Sequence, residues 1–222
     1  MSRCILVLGL PRSGTSCVAG VLHRLGVDMG EGYLALPNVR NPLGYYEDVR
    51  WQVVMRATLG SGYWPKRRAE NIPKAQAQWR ALTAVRAQCP LWGFKDTRSA
   101  WVVDDLLPCL PETRVVEVRR DREAAARSLQ KHSETAYHGK RRLTRQQADA
   151  AIERWEEAMA GAMSVVQAAG LPVYTVRYEA LLKSGNVNAL AEFCYEGLAI
   201  TCSDKELKAA QAFIHREMNH WT

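Results

Sequence analysis

A strand that runs into a glycine-framed loop and out into a helix, between Arg3 and Leu25, constrains the fold of this chain more than any other stretch. Arg3-Cys-Ile-Leu-Val-Leu8 reads as a short buried strand, and Val18, Val21, Leu22 and Leu25 recur at helical spacing over Ser16 to Leu25. Between them lies Gly9-Leu-Pro-Arg-Ser-Gly-Thr-Ser16. The first amides of a helix lack intrahelical acceptors and the helix dipole favours negative charge, so the N–H groups from Ser13 to Ser16 are expected to face an anion. Gly14 would let the backbone approach it closely. The spacing of Gly9 and Gly14 is that of the nucleotide-hydrolase loop G-x-x-x-x-G-K-[ST], yet Thr15 occupies the lysine position, followed by Ser16. The cation stands inside the loop instead, at Arg12, whose planar fork suits a pair of phosphate or sulfate oxygens. An ordinary strand–turn–helix connection would read the same, so the rest of the chain has to decide.

Further strands are expected at Leu91 to Lys95, Thr113 to Arg119 and Val173 to Arg177. Helical patterns cover Trp51 to Leu59, Lys74 to Cys89, Ser99 to Leu107, Arg122 to Lys131 and Gln146 to Ala169, with more helix beyond Asn188. Alternating strands and helices predict an α/β fold, a mainly parallel central sheet covered on both faces as a three-layer α/β/α sandwich. Ligands of such sheets bind outside the carboxyl ends of the strands, where the loops after Leu8, Lys95, Arg119 and Arg177 should meet. The 222 residues are read as a single domain, 1–222, with 33–69 an acceptor-side excursion and 131–145 either a flexible flap or a linker.

The net charge of +7 and isoelectric point of 9.2 fit polyanionic partners without choosing among them. Basic residues cluster at Lys66-Arg67-Arg68, at Arg119-Arg120 with Arg122, and at Lys140-Arg141-Arg142 with Arg145. The cysteines at 4, 17, 89, 109, 194 and 202 show no C-x-x-C spacing and are read as reduced thiols of a cytoplasmic protein. No stretch approaches the ~18 apolar residues of a membrane span.

A second signal is Thr113-Arg-Val-Val-Glu-Val-Arg-Arg-Asp121, a strand ending in a cationic pair, with Ser128 eight residues beyond Arg120 on the next helix. Arginine and serine can reach one anion; equally, Arg120 can pair with Asp121 or Glu123. Together the two segments resemble the sulfotransferases that use 3′-phosphoadenosine 5′-phosphosulfate (PAPS). That family carries a P-[KR]-[ST]-G-T-[ST] loop for the 5′-phosphosulfate and an R-D-P-x-x-x-x-x-S segment for the 3′-phosphate. Here they stand as Pro11-Arg-Ser-Gly-Thr-Ser16 and Arg120-Asp-Arg-Glu-Ala-Ala-Ala-Arg-Ser128. Val176-Arg-Tyr-Glu-Ala-Leu181 is similar to the family's R-Y-E-D-L, which puts Tyr178 at the position near the adenine. Arg122 and Ala180 replace the usual proline and aspartate, Cys17 the tryptophan of cytosolic members, and no Arg-Lys-Gly run occurs. These departures point to a distant bacterial-type or carbohydrate-type branch.

The resemblance implies a P-loop NTPase-like fold and transfer of a sulfuryl group from PAPS to a hydroxyl, by an in-line displacement governed by positioning and charge. Arg12, Ser13, Gly14, Thr15 and Ser16 would hold the 5′-phosphosulfate, and Arg120, Ser128 and Tyr178 the rest of the donor. Lys95, in Gly93-Phe-Lys-Asp-Thr-Arg98, would steady the leaving group, with Arg98 of similar standing. Glu47, in Asn41-Pro-Leu-Gly-Tyr-Tyr-Glu-Asp48, matches the family's base position, with Asp48 behind it; either carboxylate can instead cap the next helix. His23 is read as structural, His132 and His138 as residues of a polar segment, and no metal is expected. The acceptor is a small molecule or carbohydrate, for which Tyr33, Tyr45, Tyr46, Tyr63 and Trp64 could form a pocket. Rival readings are a P-loop small-molecule kinase, disfavoured by the missing lysine, and a polyanion- or nucleic-acid-binding module. A member that has lost its acceptor chemistry is a further one. Oligomeric state stays open.

Overall fold

The computed structural model describes residues 2–31, 41, 44–60, 65–136 and 142–221. Four strands, β1 (Arg3–Gly9), β2 (Leu91–Lys95), β3 (Glu112–Arg119) and β4 (Val173–Arg177), form one parallel sheet in the order β2-β1-β3-β4. β1 is central because it carries no exposed position; all seven residues are buried. Its side chains alternate faces with period two. Ile5 and Val7 join a core with α1 (Thr15–Arg24), α7 (Tyr178–Ser184), α8 (Asn188–Tyr195) and α9 (Asp204–Trp221). Cys4, Leu6 and Leu8 face the opposite core, built with α2 (Val49–Leu59), α3 (Ile72–Arg86), α4 (Val103–Leu106) and α6 (Arg145–Ala168). The result is a three-layer α/β/α sandwich.

After β1 the chain crosses to β2 on one side, and after β2 it returns past β1 to β3 on the other. The connections therefore part at the carboxyl end of β1, the place where open parallel sheets leave a crevice for ligands. Register puts Gly9 beside Val118, so the loop after β1 and the residues after β3 start from neighbouring points.

The expected Ser99 to Leu107 helix is broken into three short turns. A 3₁₀ turn covers Thr97–Trp101, α4 spans four residues, and a second 3₁₀ turn covers Leu107–Cys109. Val102 at φ −141° interrupts the first, and Pro108, which cannot continue a helical hydrogen-bond ladder, starts the second. In contrast α5 (Arg122–Ala136) extends five residues past the expected Lys131. Of the proposed excursion, 33–40, 42–43 and 61–64 lie outside the described residues, as do 137–141 of the proposed flap.

Candidate functional site

The loop after β1 is shaped from within. Ser13 is fully buried, and both its amide (3.2 Å) and its hydroxyl (2.7 Å) donate to the Leu10 carbonyl, so this residue builds the turn. Gly14, at φ 92°, is the N-cap of α1 and caps it with no side-chain hydrogen bond. The first intrahelical bond runs from the Val18 amide to the Gly14 carbonyl, which leaves the Thr15 and Ser16 amides at the bare N-terminus of the helix. A Cβ on Gly14 would collide with the ring of Tyr178 as well as strain the backbone, so two constraints require glycine there.

Arg120, Ser128 and Tyr178 all reach this loop, although they come from the residue after β3, from α5 and from α7. Nη1 of Arg120 donates to the Arg12 carbonyl at 2.9 Å, and its guanidinium lies 4.9 Å from the centre of the Tyr178 ring. Tyr178 is 3% exposed, packed under both. The Arg12 backbone sits at φ 69°, and Nε of its side chain donates to Ser128 Oγ at 3.1 Å. The guanidinium expected to face the 5′ group thus leans toward α5. Glu179, beside Tyr178, lies 3.6 Å from Nε of Arg120. Of the partners expected for Arg120 in a purely structural role, Glu123 pairs with Arg127 and Arg145, and the Asp121 carboxylate accepts from the Ala124 amide at 2.8 Å.

On the other side of the α1 N-terminus stands Lys95, the last residue of β2 and only 3% exposed. Its Nζ donates to Ser16 Oγ at 3.1 Å and pairs with Glu47 at 2.5 Å. The second carboxylate oxygen of Glu47 accepts from Gln52, whose own carbonyl accepts from Arg56 at 3.1 Å. Gln52 escaped the sequence reading. It lies five residues after Glu47 and within the first turns of α2, a spacing that brings its side chain back over the helix start.

Two other candidates are committed elsewhere. Asp48 is the N-cap of α2, accepting from the Arg50 amide at 2.8 Å and paired with the Arg50 guanidinium. Arg98 is buried and clasped by Asp96 through Nε (2.9 Å) and Nη2 (2.5 Å). Burial alone would favour its neutral form, but the Asp96 pairing holds its pKa above the usual arginine value. Tyr46 is a core residue, 1% exposed at φ 53°, edge-on to Phe213 and accepting from Arg24. Tyr33, Tyr63, Trp64 and His138 lie outside the described residues. His23 packs near Tyr46, and burial followed by the charge of Arg24 lowers its pKa.

Among the described residues, several members of the basic clusters pair with carboxylates on the surface. Arg67 pairs with Asp104 and Asp105, Arg122 with Glu156, Arg142 with Glu134, and Arg145 with Glu123 and Asp149. The cysteines form no disulfide, and burial pushes the Cys194 thiol up to about 12. Among the described residues no helix is long and apolar enough to cross a membrane.

A parallel sheet with a bare helix N-terminus at its switch point, two arginines on one flank and a buried lysine on the other defines an α/β protein whose switch point gathers donors of the kind that can hold an anion. The sulfotransferase family profile matches residues 4–196, and the chain belongs to that family. Its fold is similar to that of a sulfotransferase from Mycobacterium tuberculosis, with TM-score 0.60 at 15% identity over 95% of this chain and 71% of that one. It is similar also to a sulfotransferase from Mycobacterium avium, with TM-score 0.56 at 14% identity over 99% and 68%. No curated protein sequence matches the chain.

Proposed function

We propose that the protein, acting as one domain, transfers a sulfuryl group from PAPS to a hydroxyl of a small-molecule or carbohydrate acceptor. The observation that carries this reading is the convergence of Arg120, Ser128 and Tyr178 on one flank of the Gly9–Ser16 loop and of Lys95 and Glu47 on the other.

The residues fit such a donor. Gly14 lets the Tyr178 ring pack against the loop, and the Thr15 and Ser16 amides with the Ser16 hydroxyl supply fixed donors for the 5′-phosphosulfate. Lys95, already held against Ser16, balances charge that builds on the sulfuryl oxygens and the leaving phosphate. Its burial makes that charge act in a poorly screened setting. Arg120 and Ser128 serve the 3′-phosphate, with Tyr178 backing them beside the adenine. When bound, PAPS supplies an activated sulfuryl group; the chain orients it and removes a proton from the acceptor.

Glu47 is the group placed to take that proton. It is anchored through Gln52 and paired with Lys95, so one of its oxygens must pass from the ammonium to the acceptor hydroxyl as the lysine turns to the sulfuryl group. Lysine and glutamate then act as a coupled pair. The test is a thermal-shift titration with 3′-phosphoadenosine 5′-phosphate (PAP), ADP and ATP. PAP should give the largest rise in Tm. Equal or greater stabilisation by ATP would favour a kinase and sink the proposal.

A further inference from the structure

We infer that Gln52 is the positioning residue for the Glu47 base and that Arg56 orients Gln52, so that a hydrogen-bonded chain along α2 fixes which carboxylate oxygen takes the acceptor proton. The inference rests on the reading of Glu47 as base given above, and it adds two residues to that site.

The chain has a direction that its chemistry dictates. The Arg56 side chain holds only donors, and its Nη2 reaches the Gln52 side-chain carbonyl at 3.1 Å. An ionised glutamate side chain holds only acceptors, and Oε2 of Glu47 accepts from Nε2 of Gln52. The amide has one polar end of each kind and is thereby held with its NH₂ toward the carboxylate. A flip would set oxygen against oxygen at one end and donor against donor at the other. Gln52 and Arg56 are four residues apart on α2, the spacing that stacks side chains on one helix face. Gln52 is buried, so water competes little for its bond to Glu47.

The frame around this chain is stiff. Trp51, next to Gln52, stacks on Phe94, next to Lys95, with ring centres 4.1 Å apart and planes within 5°. Both rings are buried. Asp48 caps the same helix through the Arg50 amide at 2.8 Å. The start of α2 and the end of β2 are therefore locked together around Glu47, whose oxygens divide between them: Oε1 faces Lys95 and Oε2 faces Gln52.

This division gives the two oxygens different tasks. As Lys95 turns to the sulfuryl group, Oε1 loses its partner while Oε2 keeps Gln52. Oε1 then takes the acceptor proton as the acceptor oxygen bonds to sulfur and the bond from sulfur to the phosphate oxygen breaks, its electron pair staying on PAP. Without Gln52 the carboxylate is free to rotate about its last bond and follow the ammonium, and a misplacement of about 1 Å is enough to cost ~100-fold in rate. A carboxylate that loses a donor also holds its proton more tightly.

The experiment follows PAP release from PAPS by the intact protein, with water as the acceptor, between pH 5 and pH 9. Gln52→Leu deletes the donor. Gln52→Glu keeps the size of the side chain and the Arg56 contact but sets carboxylate against carboxylate, which guards against a folding defect. Both should lower kcat at the plateau about tenfold to a hundredfold, leave KM for PAPS within about twofold, and move the acid limb of the profile about one pH unit higher. Arg56→Leu should act in the same direction by a smaller factor, and Arg56→Lys, which keeps a donor for the Gln52 carbonyl, should recover most of the loss. A second readout needs no turnover: the NMR signals of the Gln52 side-chain amide, assigned by their loss in Gln52→Leu, should shift with pH through the midpoint of the acid limb and cease to do so in Glu47→Gln. An acid limb that stays in place in both Gln52 variants, or amide signals that follow pH equally in Glu47→Gln, would overturn the inference while leaving Glu47 as base. Undiminished PAP release by Glu47→Gln would overturn the base reading itself, and the inference with it.

Discussion

Glu47 shows how a single side chain acquires a role from its neighbours. Alone, a glutamate before a helix is an N-cap candidate, but Asp48 takes that place by accepting from the Arg50 amide. Glu47 is left to face Lys95 and Gln52. Glu47→Gln keeps an oxygen for the Lys95 ammonium and a size match for the site, yet removes the base. We expect kcat for transfer to fall ~10²- to 10⁴-fold, the usual worth of general-base catalysis, while PAP affinity by calorimetry changes little. A fall in affinity as large as that in kcat would show that Glu47 holds the lysine rather than the proton.

Among elements, the helices that carry the site are tied down away from it. Asp28 follows α1, bridges to β2 beside Trp92 and pairs with the buried Arg86 of α3 at 2.9 Å. Burial works against its charge, but the Gly30 amide, the Cys89 thiol and Arg86 together hold its carboxyl below the usual aspartate value. The folded pKa is below the unfolded one, so this contribution to stability is complete above pH ~4 and is lost as the pH falls through the folded value. Tm measured from pH 6 down to pH 3 should drop, and Asp28→Asn should flatten the part of that drop which Asp28 causes. The effect is modest because the carboxyl is 40% exposed.

Across the whole molecule, the proposed donor site is a product of sheet order. Arg12 and Ser128 are 116 residues apart, and Lys95 and Glu47 are 48 apart. They meet because β1 lies between β2 and β3, which delivers Lys95 to one flank of the loop and Arg120 to the other. Arg120→Ala should therefore damage both the loop and the ligand. PAP binding is expected to weaken far more than AMP binding, and the Tm gain at saturating PAP should shrink accordingly. Equal weakening of the two nucleotides would move the 3′-phosphate elsewhere.

The strands, the long helices and the strand–loop–helix form of Arg3 to Leu25 follow from local pattern. Apolar periodicity and glycine spacing act over a few residues, so β4 is legible to its ends and α6 to within one residue. The family motifs likewise identify Arg120, Ser128 and Tyr178 as partners of the loop. Local pattern says nothing of where a long side chain goes once it leaves the backbone. Only the tertiary structure turned Arg12 toward Ser128, locked Arg98 on Asp96, buried Tyr46 in the core and set Gln52 behind Glu47. Each outcome depends on which charged or polar partner the fold brings within hydrogen-bond reach, and that is decided by strand order and by a backbone turned into an uncommon conformation.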